Sequence, residues 1–449
     1  MSADLLDALP PHKRELARLL LAARTAPAEH PRPRTGAGDV AAMPVQVRLL
    51  RAADPAAATG AHAVSLRGPL NRGALTRALA AVLDRHDALR TVLADHPAGP
   101  VLRERAPTRP LLRVAGDAVP PEQLVRDAAA RPFDLTRETG ARFELVRLAD
   151  EHHLLVFSAH LAVFDGWSSA VVLADLAAAY RGEPLVPEPL QLSDVASWQH
   201  RWLSGASAAA ELDHWRALLA GTGPPAARAA GFARGHVPVA LPERATAAAF
   251  ALGAAEGATP FMTLLAAWAA VLARREGRDR IVVGTPVSGR VSPGMEHAVG
   301  QFTTVVPIVV DCSGRPSFTA LLRRVRPAVT DALAHQRLPV DTLLDGLGSQ
   351  PYSTLFALHN YPAVPLELPG VEVSAVPGPP ARHLELYSPD PAATLACVGL
   401  VEQDGRVGGT AEHNTLAVTG AEVTGLLADV GRVLSEAVAA PDTALTVLS

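Results

Sequence analysis

Lysine is almost missing from this chain of 449 residues, because Lys13 stands alone among 41 basic residues and all the others are arginine. A Gly-Lys-Ser/Thr phosphate loop needs a lysine near its end, so the chain cannot carry one. Cysteine is equally scarce, and Cys312 with Cys397 cannot build a disulfide framework or a thiolate metal cage. These absences predict a cytoplasmic protein with no bound metal, nucleotide or flavin.

Long apolar runs and strong net charge are absent as well. No apolar run reaches the about 18 residues of a membrane span, and the longest, from Phe261 to Ala273, predicts a buried helix. The N-terminus has acidic residues at its start and no small-residue cleavage site, which argues against a secretory signal. A net charge of −4 gives no broad basic field for nucleic acid. We therefore expect neither a nucleic acid nor a membrane as a partner.

What the chain does contain predicts two α/β units. Its 49% hydrophobic residues can bury a sizeable core, but 449 residues are too many for one ordinary core. Helical and strand patterns alternate in both halves, with long apolar strands. We predict a leader helix and linker over residues 1–38, a first lobe over 39–205 and a second lobe over 206–449.

The stretch "SAHLAVFDGWSS", from Ser158 to Ser169, is the first candidate for chemistry. It follows a strand predicted to be buried, and loops after buried strands commonly carry functional residues in α/β proteins. His160 has the chemistry of a general base, and Gly166 would let a backbone N–H approach a substrate oxygen. A histidine and an aspartate five residues apart also fit a satisfied structural histidine, so both interpretations stay open on these residues alone.

Several further motifs occur in a fixed order along the chain. They are "MPVQVRLL" near the start, "RHDALRTVL", "PFDLT", Asp165-Gly166-Trp167-Ser168, "LSDVASWQ", "GTPVSGR" with Arg290, "VGQFTTVVPIVVD" and "HQRLPVDTLL". In this order and register they resemble the condensation domains of nonribosomal peptide synthetases, whose signature is His-His-x-x-x-Asp-Gly. The resemblance extends over nearly the whole chain.

The resemblance implies an α/β fold of two chloramphenicol-acetyltransferase-like lobes, a V-shaped pseudo-dimer with a central tunnel and a bridging segment at 390–416. Donor and acceptor thioesters would enter the tunnel on the phosphopantetheine arms of acyl or peptidyl carrier proteins. The aspartate of the signature, here Asp165, would pair with Arg290 of the second lobe. Thr304, His359 and Asn360 are the tunnel-lining candidates.

One departure from the signature concerns the catalytic position itself. Counting back from Asp165, Leu161 falls where the family has its second histidine, the residue thought to position or deprotonate the acceptor amine, and His160 falls on the first. We expect no rescue by a shift of one residue, because adjacent strand residues point to opposite faces. Gly166 and Trp167 complete the set of predicted site residues. Thr304 is a further change, since the family has an asparagine there.

Two functions follow from these residues and stay open. In the first, the protein binds carrier-tethered substrates and serves as a recruitment or gating platform, with a tailoring enzyme as a further partner, and condensation is absent or atypical. In the second, it is an active acyltransferase that forms an amide or ester by positioning donor and acceptor without the second histidine. Cyclisation or dehydration of a tethered intermediate is a third interpretation. The two ends of the sequence fit a free-standing protein and an excised domain alike.

Overall fold

A computed structural model describes most of the chain. The described residues are 30–36, 38–51, 58–106, 111–114, 119–185, 188–223, 229–359, 366–378, 382–403 and 405–448. The predicted leader helix falls within residues 1–29 and therefore lies outside the described residues.

The helices are distributed over both halves of the described chain. They are α1 (Pro44–Leu50), α2 (Arg72–Arg85), α3 (Pro121–Ala130), α4 (Gly166–Arg181), α5 (Leu192–Leu203), α6 (Ala206–Leu219), α7 (Glu243–Ala255), α8 (Pro260–Glu276), α9 (Phe318–Ala334), α10 (Val340–Leu347), α11 (His383–Tyr387) and α12 (Gly420–Ala439).

The strands form three sheets. They are β1 (Val40–Ala41), β2 (Thr59–Arg67), β3 (Thr91–Ala94), β4 (Val101–Glu104), β5 (Leu111–Val114), β6 (Ala141–Ala149), β7 (His152–His160), β8 (Arg234–Ala240), β9 (Arg280–Val287), β10 (Thr304–Asp311), β11 (Thr354–His359), β12 (Glu372–Val376), β13 (Ala396–Gln403) and β14 (Arg406–Asn414). The first sheet has the order β12-β2-β7-β6-β5, the second β10-β9-β11-β13-β14-β8, and a small third sheet β1-β4-β3.

Strand β7 lies in the middle of the first sheet and delivers the chain to the signature. It pairs antiparallel with β2, where Thr59 faces His160, and with β6, where Ala141 faces Ala159. Strands β6 and β7 form an antiparallel hairpin, joined at residues 150–151. Because β7 is largely buried between its neighbours, its end is held rigidly.

One strand from the second half of the chain joins the first sheet. Strand β12 comes from the second half of the chain but pairs antiparallel with β2 at the edge of the first sheet, from Glu372 against Arg67 to Val376 against Ala63. The boundary predicted between residues 205 and 206 divides the chain along its sequence. It does not assign every strand after residue 206 to the second sheet. This strand ties the second half of the chain to the first sheet.

Helix α8 supports the second sheet from within the core. Thr259 caps its N-terminus by accepting a hydrogen bond from the Met262 N–H, and Gly277 ends it in the left-handed conformation at φ 62°. Its side chains are buried from Met262 to Ala273, which confirms the predicted buried helix. Among the described helices none alone is long and apolar enough to cross a bilayer, and only α7 and α8 together, bent by 109°, have the length and composition.

Candidate functional site

The turn after β7 begins with a buried, neutral histidine. His160 is 4% exposed, its Nδ1 accepts a hydrogen bond from the Ala162 N–H at 3.0 Å, and its ring packs edge-on against Phe133 at 6.2 Å. Burial lowers the pKa of His160 to about 4. At neutral pH this imidazole therefore carries no charge, and the Nδ1 lone pair is already used inside the turn.

Leu161 is the first residue beyond the strand. Strand β7 ends at His160, and the Leu161 N–H donates to the Ala58 carbonyl at 2.7 Å as the chain turns away. The expectation that Leu161 lies on the face opposite to His160 is supported by its closeness to Gly60, which pairs with Ala159. The Leu161 side chain is half-buried and packs against the hydrophobic core. An alkyl group at this place can neither accept nor donate a proton.

Asp165 supplies the single carboxylate of the signature stretch, and several donors surround it. It is 2% exposed and caps α4. Its donors are the backbone N–H groups of Ser168 at 2.9 Å and Phe302 at 3.1 Å, the hydroxyls of Ser168 at 2.8 Å and Thr303 at 3.3 Å, and the Nη1 and Nη2 atoms of Arg290 at 2.7 and 3.1 Å. We call Asp165, Ser168, Arg290, Phe302 and Thr303 the junction cluster.

Arg290 approaches this carboxylate from the second lobe, so the structure brings Asp165 and Arg290 together. Its guanidinium also donates to the Ala298 carbonyl at 3.1 Å and lies 5.6 Å from the centre of the Trp167 ring. Burial by itself would raise the pKa of Asp165, but the Arg290 charge and the hydrogen bonds outweigh it and hold that pKa below its usual value. The pair is therefore a permanent ionic contact between the lobes.

Gly289 makes the approach of Arg290 possible. It has φ 63°, and a Cβ at this position would stand 1.8 Å from the carbonyl oxygen of Phe302. Only glycine fits both the left-handed backbone and this close contact. The "SGR" sequence therefore positions the guanidinium.

The other two signature residues have different surroundings. Gly166 is exposed as the first residue of α4, whereas Trp167 is half-buried and its indole N–H donates to the Glu296 carbonyl at 2.9 Å. Trp167 therefore adds a second link from α4 to the loop that precedes β10.

The predicted tunnel-lining residues do not form one group. Thr304 is buried, accepts a hydrogen bond from the Val340 N–H at 2.9 Å and lines a small cavity of about 30 Å³. His359 lies at the end of β11, in a separate polar cluster. Asn360 lies outside the described residues. Their assignment to a tunnel stays a prediction.

That polar cluster contains two residues that the sequence did not indicate. His359, His383 and Glu412, which we call the second-sheet cluster, come from β11, α11 and β14. The two imidazole rings are 4.8 Å apart, and a Cβ at Gly399 would come within 3.1 Å of His359 Nε2 and 3.3 Å of His383 Nδ1. A glycine on the intervening strand therefore leaves room for both rings. Neither "RHLEL" nor "AEHN" carries a signal for this contact, because strand pairing and the packing of α11 against β13 and β14 create it.

Burial controls protonation in the second-sheet cluster. Glu412 accepts from the backbone N–H groups of His383 at 2.7 Å and Leu384 at 3.0 Å, yet burial raises its pKa to about 7. Burial, and secondarily the neighbouring His359, lowers the pKa of His383 to about 3. At neutral pH the cluster therefore holds a neutral histidine beside a carboxyl group near its titration midpoint.

An open groove lies between elements of the two lobes. Its volume is about 1100 Å³, and α1, α10, α11 and residues 388–392 contribute to its walls. Arg48 of α1 crosses between its sides, with Nε 2.6 Å from Asp341 Oδ1 and an Nη–H donated to the Leu386 carbonyl at 3.2 Å. The groove can therefore accept a ligand beside a fixed arginine.

Comparison with known proteins agrees with this architecture. The condensation-domain family model matches residues 38–365. This chain belongs to the condensation-domain family. The domain has the chloramphenicol-acetyltransferase-like α/β fold and is of the kind found in nonribosomal peptide biosynthesis.

Two curated relatives indicate how this condensation domain compares with larger enzymes. It is 30% identical over 387 residues to malpinin synthetase of Mortierella alpina, covering 79% of this chain and 5% of that protein. It is 34% identical over 390 residues to phosphinothricin tripeptide synthetase PhsB of Streptomyces viridochromogenes, covering 78% of this chain and 33% of that protein. The chain thus spans a minor part of either relative.

A solved structure shows the same fold at lower identity. The structure described as the complex of the X-domain and OxyB from teicoplanin biosynthesis matches with a TM-score of 0.77 and 24% identity. The match covers 94% of this condensation domain and 98% of that chain.

Proposed function

We propose that this condensation domain binds substrates carried on the phosphopantetheine arms of carrier proteins, in the cytoplasm, and does not use a general-base histidine. One observation carries the proposal: the junction cluster that builds the signature turn is complete, while Leu161, at the catalytic position of that turn, has no proton acceptor. The main role of this domain is then to bind the carrier-tethered substrate and to serve as a recruitment or gating platform.

The chemistry of amide formation explains why Leu161 matters. The acceptor amine must lose a proton as its nitrogen attacks the thioester carbon, the C–S bond breaks and the donor arm leaves as a thiol. A positioned base typically contributes about 10²–10⁴-fold to such a step. The neighbouring His160 is a poor substitute, because its Nδ1 accepts the Ala162 N–H and its pKa is about 4.

The groove supports the binding part of the proposal. With about 1100 Å³ it has the capacity of a ligand site, since such sites commonly measure about 300–1,000 Å³. Arg48 on its wall is fixed by Asp341, so that side chain presents a preorganised face to an entering substrate.

The retained groove also supports the second function, an acyltransferase that acts by positioning. Holding two reactants in an attack geometry can by itself contribute about 7–11 kcal/mol to a barrier. Amide or ester formation without a protein base would then proceed with water accepting the proton, at a reduced rate.

A role in recruitment gains support from the X-domain structure, which is described as a complex with OxyB. By analogy, a tailoring enzyme is the further partner that we propose for this condensation domain. Such a partner would act on the carrier-bound intermediate while the domain holds it.

The decisive experiment loads donor and acceptor carrier proteins, adds the domain and follows the condensed product by intact-mass spectrometry. We expect no product with the natural chain, and product at a rate about 10²–10⁴-fold above background with Leu161→His. Leu161→Met is the matched control, because it keeps the apolar volume and adds no base.

Carrier binding is measured in parallel by fluorescence anisotropy with a labelled phosphopantetheine arm. Turnover by the natural chain at the rate of Leu161→His would overturn the platform function in favour of positioning catalysis. Failure of the loaded carriers to bind would overturn both functions.

A further inference from the structure

Two histidines and an aspartate meet on the face shared by α6 and α9, outside the junction cluster. His214 lies on α6, Asp331 on α9, and His335 is the residue that ends α9. His214 Nε2 is 3.3 Å from Asp331 Oδ2, and His335 Nε2 is 3.8 Å from Asp331 Oδ1. We propose that His214, Asp331 and His335 bind a divalent transition-metal cation of the zinc class.

The spacing of the three ligand atoms suits such an ion. One nitrogen or oxygen atom from each residue falls within a group whose members all lie within 4.8 Å of one another. Zinc ligands at about 2.0–2.2 Å in tetrahedral geometry lie about 3.3–3.5 Å from each other. The His214 and His335 rings lie nearly parallel, so at least one of them must rotate out of the stack before both nitrogens bind the same ion, and water completes the coordination.

A fourth residue orients one of the ligands. Glu211 Oε2 lies 2.7 Å from His335 Nδ1, so the carboxylate accepts that N–H and leaves the Nε2 lone pair facing Asp331. Carboxylate–histidine–metal chains of this kind fix the tautomer and orientation of metal-binding histidines. A surface ion pair between histidine and aspartate has no need of this second carboxylate.

The scaffold holds the two imidazoles side by side in a stack, which a shared ion would have to open. The His214 and His335 rings stack with centroids 3.6 Å apart and an interplanar angle of 12°. Buried Trp215 packs edge-on against both rings, and its indole N–H donates to the His335 carbonyl at 3.3 Å. Within the described chain His214 Nε2 is screened from solvent and makes no hydrogen bond. That nitrogen is therefore available as a ligand.

The donor set selects the class of metal. Two imidazole nitrogens and one carboxylate oxygen suit Zn²⁺, Co²⁺, Ni²⁺ or Cu²⁺ better than Mg²⁺ or Ca²⁺, which prefer oxygen ligands. The three side chains keep exposures of 28%, 43% and 30%, so solvent reaches the cluster, and His214 Nε2 becomes accessible when the stacked rings open. Since the ligands come from two helices, the bound ion would brace α6 against α9, independently of the function proposed above.

The test measures zinc binding to the full chain after treatment with a chelator, by isothermal titration calorimetry. We expect one more zinc ion per chain in the natural protein than in His214→Ala or Asp331→Asn. Glu211→Gln should keep the site and weaken it by about 10–100-fold, as expected for an orienting residue. His96→Ala is the matched control, because it removes an exposed histidine from the first lobe.

Two further readouts separate a lost site from a lost fold. Zinc should raise the melting temperature of the natural chain and of His96→Ala but not that of His214→Ala, while all of them melt alike in chelator. Cobalt should give a visible tetrahedral absorption band only when the three ligands are present. Equal zinc stoichiometry in the natural chain, His214→Ala and Asp331→Asn would overturn the proposal and leave the cluster as an ion-pair network.

Discussion

The junction cluster and the second-sheet cluster are both buried, yet their carboxyl groups differ in charge state at neutral pH. Asp165 meets Arg290 and four further donors, and these keep the carboxylate ionised. Glu412 meets two backbone N–H groups, and burial still raises its pKa to about 7. Burial therefore sets the cost of a charge, whereas a bonded counter-charge decides whether that cost is offset.

The greatest loss of stability should come from removing the counter-charge in the junction cluster. Arg290→Met leaves Asp165 buried and unpaired, so we expect the free energy of unfolding to fall by about 3–5 kcal/mol. Urea denaturation at pH 7 measures this change. A loss below about 1 kcal/mol would show that the remaining donors alone sustain the carboxylate, and the contrast between the clusters would fail.

A smaller effect should arise from His160, a neutral buried group five residues from Asp165. Burial lowers its pKa from 6.5 to about 4, so between these pH values His160 is protonated in the unfolded chain and neutral in the folded chain. Stability is therefore lost as the pH falls from 6.5 to 4, by at most about 3 kcal/mol from this group. His160→Gln should flatten the profile of unfolding free energy against pH in this window. Parallel profiles would contradict the assignment.

Glu412 should give the opposite slope. Its pKa is raised from 4.5 to about 7, so between these values the folded chain binds more protons than the unfolded chain. The free energy of unfolding therefore falls as the pH rises from 4.5 to 7. We expect about 3 kcal/mol at most, because one pKa unit corresponds to about 1.4 kcal/mol.

The variant Glu412→Gln isolates this contribution. Its amide nitrogen would face one of the two backbone N–H groups, so we expect the variant to be less stable at every pH. The quantity to compare is therefore the slope of the unfolding free energy against pH. Denaturation at several pH values between 4.5 and 8 should give a difference between natural chain and variant that changes steadily across the window. A constant difference would mean that Glu412 is ionised throughout, as Asp165 is.

The least change is expected where an ion pair is exposed. Arg103 and Asp39 bind through two nitrogens and two oxygens at 2.6–3.2 Å, with exposures of 41% and 34%. Asp39→Asn should leave the urea midpoint within experimental error, because water solvates the arginine that remains. A loss comparable to that of Arg290→Met would show that pairing geometry, and not burial, sets the effect.

Much of the framework around the candidate site could be predicted from local sequence. The two strands before the signature, the helix that follows it and the left-handed Gly182 at its end all have local patterns, because hydrophobic alternation and glycine act over a few residues. The backbone partner of Leu161 could not be predicted in this way. Its N–H donates to the carbonyl of Ala58, about a hundred residues away in the chain.

Two clusters could not be predicted from the motifs, because contacts between residues distant in the sequence create them. His383 and Glu412 are separated from His359 by other strands and loops. They come together through the pairing of β11, β13 and β14 and the packing of α11 against β13 and β14. His214 and Asp331 meet because α6 packs against the end of α9, at a separation of more than one hundred residues. Single-sequence patterns contain no register information at that range.

The family follows from the sequence alone, through motifs in order. So does the character of the residue that we propose for the catalytic position, because Leu161 is apolar in any fold. Which polar groups are charged depends on the tertiary structure. Asp165, Glu412 and His160 are ordinary titratable residues in the sequence, and their pKa values diverge only when burial and a partner act on each. Electrostatic energy depends on distance and surroundings, and both are properties of the folded chain.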